Sequence, residues 1–581
     1  SLRRKYMRKI VFLSALMLLA GTHQAIASQP EMASGRSDKP VVQAEKFLAV
    51  TAHPQATAAA HQTLKQGGSA VDAAIAAQMV LTLVEPQSSG IGGGGFMLHY
   101  SARKSRLQAY DGRETAPASA LPSLFLDEND QPLSGTHASA DPRSVGVPGL
   151  LAMLGMAHRQ HGRLPWASLM QAAIELAENG FVISPRLHLL ISKDRLICKR
   201  NSTRAYFCDD NGQAKPSGSL LQNPLLAGSL RQIASQGPSA LQSGPLADAL
   251  IDMLHKTTPD RAGLTHADLQ NYRAVERAPL CRPYRQYRIC GMPPPSAGAV
   301  AILQMLNMLQ QKDIGQHKPD SVEAIHLFSE AGRLAFADRE RYIADPDTSA
   351  IPLDGLLDNA YLAQRAALIK SETSIGTALP GTPATAPTTG GDAASGERPS
   401  TSHMTILDRY GNMVALTSSI ADAFGSRLMV RGFLLNSQLA DFSFQPFVDG
   451  QPVANRVGAG KRPRSAMSPI MVLDRQQKPL LVLGSAGGPN IISHLAQTLL
   501  GVLEWQQPLQ RAIGQYHYGS RNGLTELEYG QDWSHIMSGL QERGHRIETR
   551  EITSGLHGIQ RHGKYWHSGT DPRREGVASG E

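Results

Sequence analysis

The chain has 581 residues, of which 41% are hydrophobic and 18% charged, enough for a large core and ordinary for a folded soluble protein. Its formal charge of +8 is uneven: Arg3, Arg4, Lys5, Arg8 and Lys9 all precede position 28 with no acid among them, and +3 remains when they are set aside. That near-neutral remainder gives no electrostatic case for a nucleic-acid partner. Residues 1–27 read as an export signal: a basic start, the apolar run Ile10 to Ala20, and the small-x-small site Ala25-Ile26-Ala27. The run is short for a bilayer span, and an uncleaved anchor is the alternative. An exported protein, periplasmic or secreted, is expected.

The first strong helix signal is Val71 to Val84, almost wholly apolar and therefore buried, with Ser69 as its cap and Pro86 beyond its end. Further helical patterns are Leu164 to Glu178, Ala299 to Gln310, Ser321 to Tyr342 and Ile491 to Trp505. Cys198 and Cys208 form one local pair of cysteines, Cys281 and Cys290 another. In an exported chain these read as two short-range disulfides, with four buried thiols as the alternative. No Cys-x-x-Cys or Cys/His cluster points to a metal.

Residues 371–400 are rich in Thr, Ala, Pro and Gly, with Ile375 and Leu379 their only large apolar residues. Such a run buries too little apolar surface to order itself, and is expected to be exposed and flexible. It stops at Ser400-Thr401, where strands Met404 to Leu407 and Met413 to Leu416 flank the turn Asp408-Arg409-Tyr410-Gly411-Asn412. A threonine hydroxyl needs an adjacent base to attack an amide. If Thr401 becomes a chain terminus its own α-amine, with a pKa of about 7.7–8.0, can serve. Taken alone, a threonine between Ser400 and Ser402 after a linker is also simply a domain start.

The surrounding residues carry more. Thr401-Ser402-His403-Met404-Thr405, then Asp408, Gly411-Asn412 and Thr417-Ser418-Ser419, resemble the start of the small subunit of gamma-glutamyltransferases. The likeness runs from about Val50 to the C-terminus. Upstream it includes Gly68 to Ala74, Val84 to Phe96 and Asp111-Gly112-Arg113-Glu114-Thr115-Ala116-Pro117. Downstream it includes Phe433 to Gln438, Lys461-Arg462-Pro463, Met467-Ser468-Pro469 and Gly484-Ser485-Ala486-Gly487-Gly488. The resemblance implies an α+β fold, the four-layer αββα sandwich of N-terminal-nucleophile hydrolases. It also implies self-cleavage before Thr401 into a large subunit, 28–400, and a small subunit, 401–581, that stay together as a heterodimer. The glycine run Gly92 to Gly95 lacks the Lys-Ser/Thr of a phosphate loop, and close backbone packing beside the site is the favoured reading.

By the same resemblance Thr401 is the nucleophile, Ser419 supplies a hydroxyl to it, and Gly487 and Gly488 form the oxyanion hole. Arg113 and Ser465 hold the substrate α-carboxylate, and Gln438 and Asp441 its amino group. Two departures stand out. Ala421 replaces an amino-binding Asn, and Ala466 replaces a second serine at the carboxylate end. Each removes a polar partner, so glutamyl recognition is expected either to be weakened or to be supplied from elsewhere, with Asp422 as a candidate. The segment from Asp441 to Lys461 is short for a lid, so an open cleft is expected.

The function expected is a gamma-glutamyltransferase and glutathione hydrolase. It works through a gamma-glutamyl ester on Thr401, passed to amino acids, peptides or water, with no metal or organic cofactor. The rivals are an acylase of the same scaffold for glutaryl-type groups, and an uncut, non-catalytic exported binding protein.

Overall fold

Residues 35–258, 263–393 and 395–581 are described by the computed structural model; the signal-like segment lies outside them. Two seven-stranded antiparallel sheets stack face to face. In the first, the order is Val577–Gly580, Leu48–Thr51, Ser402–Leu407, Met413–Ser419, Gly94–Ser101, Arg106–Gly112 and Val275–Arg277. In the second it is Gln43–Ala44, Tyr565–Thr570, His557–His562, Pro479–Gly484, Ile470–Leu473, Tyr287–Gly291 and Leu280–Tyr284.

The period-2 pattern of the strands sorts their side chains between two cores. Met404, Ile406, Val414 and Leu416 point to the helices outside the first sheet. Leu407, Met413 and Ala415 point inward, against Met471, Val482 and Ile559 of the second sheet. Helices Pro54–Lys65, Ala70–Val84 and Leu150–His161 cover the first sheet. Gly298–Gln311, Ile491–Leu503 and Leu509–Gly514 cover the second, and Val322–Tyr342 packs against Gly298–Gln311. The result is the expected αββα sandwich.

The helix Ala70–Val84 starts where expected, with a reciprocal cap between Ser69 and Asp72. Every one of its residues is buried. The pattern at Leu164 to Glu178 is broken: Pro165 leads into a 3-10 turn, Trp166–Met170, before the helix Gln171–Asn179. Both cysteine pairs are disulfides, Cys198–Cys208 and Cys281–Cys290.

The described residues of segment 371–400 contain neither helix nor strand. The expectation that it is exposed holds at many positions, Ser371 to Thr373 and Pro387 to Thr389 among them, but not at Ala378, Glu397 and Ser400, which are buried in the uncut chain. It is held by hydrogen bonds and ion pairs to its backbone and side chains, with Ala378 buried in the core and Ile375 packed against it. Side chains along the helix Val322–Tyr342 form the rail: Glu330 accepts from Ser374 Oγ at 2.7 Å and Ile375 N at 2.6 Å, and Arg333 donates to the Gly376 carbonyl at 2.6 Å. Further along, Asp338 accepts from Gly381 N at 2.9 Å, Arg341 pairs with Asp392 at 2.9 Å, and Arg339 pairs with Glu397.

The glycine run is packed against backbone. A Cβ on Gly92 would lie 2.0 Å from the Leu434 carbonyl oxygen, and one on Gly93 2.1 Å from that of Ser419. Gly94 and Gly95 pair in register with Ser419 and Ser418. Gly93→Ala should therefore push the end of the Met413–Ser419 strand aside. Overpacking of this kind costs about 1–3 kcal/mol. The expected outcome is a lower melting temperature and a precursor that cuts slowly, read on a denaturing gel. Wild-type melting and cutting would show that the strand end yields without cost.

Candidate active site

The hairpin of Ser402–Leu407 and Met413–Ser419 pairs Ser402 with Ser418. The next position outward sets Thr401 beside Ser419. The turn between them is tied by Asp408, whose Oδ1 accepts from Tyr410 N and Asn412 N, both at 2.9 Å. In the uncut chain two hydroxyls converge on one oxygen. Thr401 Oγ1 donates to the Ser400 carbonyl, and Ser419 Oγ donates to it at 2.8 Å. The two hydroxyl oxygens are 3.4 Å apart. Ala421 N–H donates to Ser419 Oγ at 2.9 Å, which leaves the Ser419 proton free to point at the carbonyl.

Three further contacts fix this peptide. Ser400 Oγ donates to the Gln87 carbonyl at 2.5 Å, Ser402 Oγ donates to Glu85 at 3.0 Å, and Arg574 Nη1 donates to the Thr401 carbonyl at 2.9 Å. Gly487 and Gly488 sit between the strand Pro479–Gly484 and the helix Ile491–Leu503 at φ of 130° and 59°. A Cβ on Gly488 would lie 2.9 Å from Pro399 N and 3.0 Å from the Arg398 carbonyl. The glycine turn is thus in close contact with the linker just before Thr401, and only glycine allows this approach.

Arg113, Gln438 and Asp441 meet although Arg113 is 328 residues from Asp441. Arg113 Nη2 donates to Asp441 at 2.7 Å and to the Arg464 carbonyl at 2.6 Å, and Gln438 Nε2 donates to Asp441 at 2.6 Å. Burial holds the Asp441 carboxyl above the usual range; Arg113 opposes this and Glu397 pushes it further up. Glu114, buried beside Arg113, is pushed up to about 8 by its burial. Arg113, 3.6 Å away, opposes this rise.

Thr401, Ser419, Gln438, Asp441, Ser465, Ala466, Met467 and Gly488 line one cavity with Glu397 and Arg398 of the linker. It measures only about 20 Å³, room for roughly one water. The open cleft expected from the short 441–461 segment is therefore absent in the uncut chain. That segment folds into the small hairpin Phe447–Val448 and Gln451–Pro452, and the linker runs beside it, bridging Gly391 to Val453 and Ser395 to Ser443. The suggested substitute Asp422 is otherwise engaged: Arg427 bonds it at 2.9 Å and reaches Asp194 at 2.8 Å.

His326, Glu330 and His545 form the one group of potential metal donors among the described residues. Each is committed elsewhere. His326 Nδ1 and His545 Nε2 are 2.7 Å apart, His326 Nε2 bonds the Lys370 carbonyl at 2.6 Å, and Glu330 accepts from Arg333 at 2.9 Å. The group ties down the start of the linker. A larger surface cleft of about 290 Å³ is lined by Arg285, Tyr287, Arg288, Asp474 and Gln477, with no Ser, Thr, Cys or His among its lining residues.

Sequence reasoning missed Gln87, Arg339, Glu397 and Arg574. No spacing rule links Arg574 to Thr401, 173 residues away. The available hint was the Asp571-Pro572-Arg573-Arg574 turn, whose two arginines are both buried.

The chain resembles known proteins over nearly its whole length. The glutathione hydrolase proenzyme of Bacillus subtilis (strain 168) is 34% identical over 518 residues, 87% of this chain and 86% of that protein. The Acylase ACY 1 proenzyme of Pseudomonas sp. (strain SE83) is 32% identical over 539 residues, 91% of this chain and 92% of that protein. The crystal structure of cephalosporin acylase from Bacillus halodurans superposes with a TM-score of 0.81 at 25% identity, covering 94% of this chain and 98% of that one. The family model for gamma-glutamyltranspeptidase matches residues 56–581. With a family model matched over most of its length and relatives above 30% identity across both chains, the chain belongs to the gamma-glutamyltranspeptidase family.

Proposed function

We propose that the chain is the precursor of an exported gamma-glutamyltransferase and glutathione hydrolase that cuts itself between Ser400 and Thr401. The observation that carries this reading is the Ser400 carbonyl held by the hydroxyls of Thr401 and Ser419.

In the first reaction Thr401 Oγ1 attacks the Ser400 carbonyl carbon. Negative charge develops on the oxygen that Ser419 already contacts, where a placed donor is most effective. The C–N bond breaks, the Thr401 nitrogen takes the proton, and the resulting ester is hydrolysed. The products are residues 28–400 and a chain beginning at Thr401. They remain together because both sheets mix strands from the two: Leu48–Thr51 pairs with Ser402–Leu407, and Tyr287–Gly291 with Ile470–Leu473.

In the second reaction the freed α-amine of Thr401 is the base, since its pKa of about 7.7–8.0 leaves part of it neutral near physiological pH. The hydroxyl attacks the gamma-carbonyl of glutathione or a similar donor, with the Gly487 and Gly488 N–H groups on the oxyanion. The leaving amine departs with a proton, and an amino acid, peptide or water takes the acyl group from Thr401. Arg113 and Ser465 hold the α-carboxylate; Gln438 and Asp441 hold the ammonium. This chemistry uses no metal or organic cofactor. Periplasmic or secreted localisation rests on the signal-like first 27 residues. No helix among the described residues is long and apolar enough to cross a membrane.

One observation favours a second reading, an acylase for glutaryl-type groups. Ala421 offers the substrate no polar side chain and Asp422 is tied to Arg427, so the ammonium end has fewer partners. Asp441 and Gln438 weigh the other way. The purified cut protein should turn over a gamma-glutamyl anilide with higher kcat/KM than a glutaryl anilide. Faster glutaryl turnover would select the acylase, and no turnover of either would remove both.

Ser419→Ala removes one donor from the scissile carbonyl without adding bulk. Self-cleavage should slow by roughly 10²–10³-fold, followed by the disappearance of the full-length band. Cutting at the wild-type rate would show that Ser419 plays no part in it.

A further inference from the structure

Behind the glycine turn lies a buried imidazole. His494 belongs to the first turn of the helix Ile491–Leu503 and is 1% exposed. The Cε1–Nδ1 edge of its ring faces Gly487: a Cβ there would lie 2.7 Å from Cε1 and 3.1 Å from Nδ1. The ring stacks on His517, with 4.2 Å between centroids. His517 is itself held on both nitrogens, by Gln497 Oε1 at 3.0 Å and Ser554 Oγ at 2.8 Å, so His494 rests on a fixed wall. Burial, with Arg573 adding to it, pushes the His494 imidazole down to about 3. It is therefore neutral at physiological pH, with one N–H donor and one acceptor. The Ala486 backbone, facing the ring as an acceptor, opposes that depression, yet neither ring nitrogen has a formed hydrogen bond in the uncut chain.

A buried N–H without an acceptor is costly and rare in native proteins. The neighbouring groups say what would satisfy this one. The Ala486 carbonyl accepts from Ser485 Oγ at 2.7 Å and has a second lone pair to offer. A trans peptide is planar, so its C=O and the following N–H point in opposite directions. Pinning the Ala486 carbonyl therefore aims the Gly487 N–H. The pin matters because Gly487, at φ of 130°, can turn where a residue with a side chain could not. In the uncut chain the linker crowds the same turn at Gly488, whose Cβ would lie 2.9 Å from Pro399 N and 3.0 Å from the Arg398 carbonyl. A cavity of about 20 Å³ admits no acyl group until that linker moves, and its departure frees the turn to settle against His494.

We propose that His494 is a positioning residue for acyl transfer: in the cut enzyme its Nδ1–H bonds the Ala486 carbonyl and so aims the Gly487 N–H at the oxyanion. This rests on reading Gly487 and Gly488 as the oxyanion hole of an acyl-transfer pocket. Cutting does not need His494, because the oxygen that gains charge in that step is held by Ser419. The two reactions of Thr401 thus depend on different donors, and His494 serves only the second.

The test uses His494→Leu, which removes the N–H while keeping a side chain of similar bulk, and His494→Asn, whose amide N–H falls close to the place of Nδ1. Both are compared with wild type in cutting rate and in turnover of whichever anilide, gamma-glutamyl or glutaryl, the cut wild-type enzyme uses faster. His494→Leu should cut at the wild-type rate but lose roughly tenfold to a hundredfold in kcat, with KM within about twofold. His494→Asn should recover most of the lost kcat. A kcat close to wild type in His494→Leu, a loss confined to KM, cutting slowed as much as turnover, or His494→Asn no better than His494→Leu overturns the proposal. Cut wild-type enzyme inactive on both anilides removes the acyl-transfer reading itself, and the proposal with it. If either variant fails to fold, a crystal structure of the cut wild-type enzyme decides. Nδ1 within about 3.2 Å of the Ala486 carbonyl oxygen is the expected result, and a ring bonded elsewhere or to nothing overturns the proposal.

Discussion

The register of one hairpin governs this site. Pairing Ser402 with Ser418 puts the Ser419 hydroxyl against the carbonyl that precedes Thr401. A slip of one residue would turn every side chain of the strand to the opposite core, sending Met404 and Ile406 between the sheets. Burial on both faces therefore locks the register. The Gly92 to Gly95 run adds a second lock, because its backbone lies against Leu434 and Ser419 at distances that leave no room for a side chain. The chemistry at Ser400 is thus a consequence of how two cores and a glycine strand pack.

Charge pairing is the second constraint. The uncut chain is self-complementary: Arg113 is matched by Asp441, and Arg339 by Glu397. Isolated charges in such a place would be costly, and the linker supplies the missing carboxylate. The same segment that presents the scissile peptide also fills the pocket, so the precursor and the working enzyme cannot share one arrangement of residues 395–400. The helix Val322–Tyr342 mediates this. Its side chains hold the linker from Ser374 to Glu397, and one of them, Arg339, bonds the Glu397 carboxylate that lines the cavity.

Much of this was legible beforehand, for identifiable reasons. The buried helix at Ala70–Val84 and the hairpin around Asp408 to Asn412 announce themselves through local capping and turn chemistry. Thr401, Arg113, Asp441 and the glycine pair were reached through ordered motifs, and the structure brings them to one place. The buried points of the linker were missed because composition reports only whether a segment can bury itself. It does not report arginines and acids on a distant helix waiting to bond its backbone. Arg574 and Arg339 were missed for the same reason: their partners lie far away in sequence, and a lone buried arginine leaves no local pattern. The pairing of Asp422, the candidate substitute for the missing Asn, with Arg427 could be seen only in three dimensions.

The central claim is that Thr401 severs the peptide before it and thereby becomes the nucleophile. N-terminal sequencing of the smaller fragment, with acyl turnover followed on the same sample over time, tests it most directly. The account predicts a fragment beginning Thr-Ser-His-Met, with activity rising in step with its appearance. A different first residue, or full activity in an uncut chain, would contradict it.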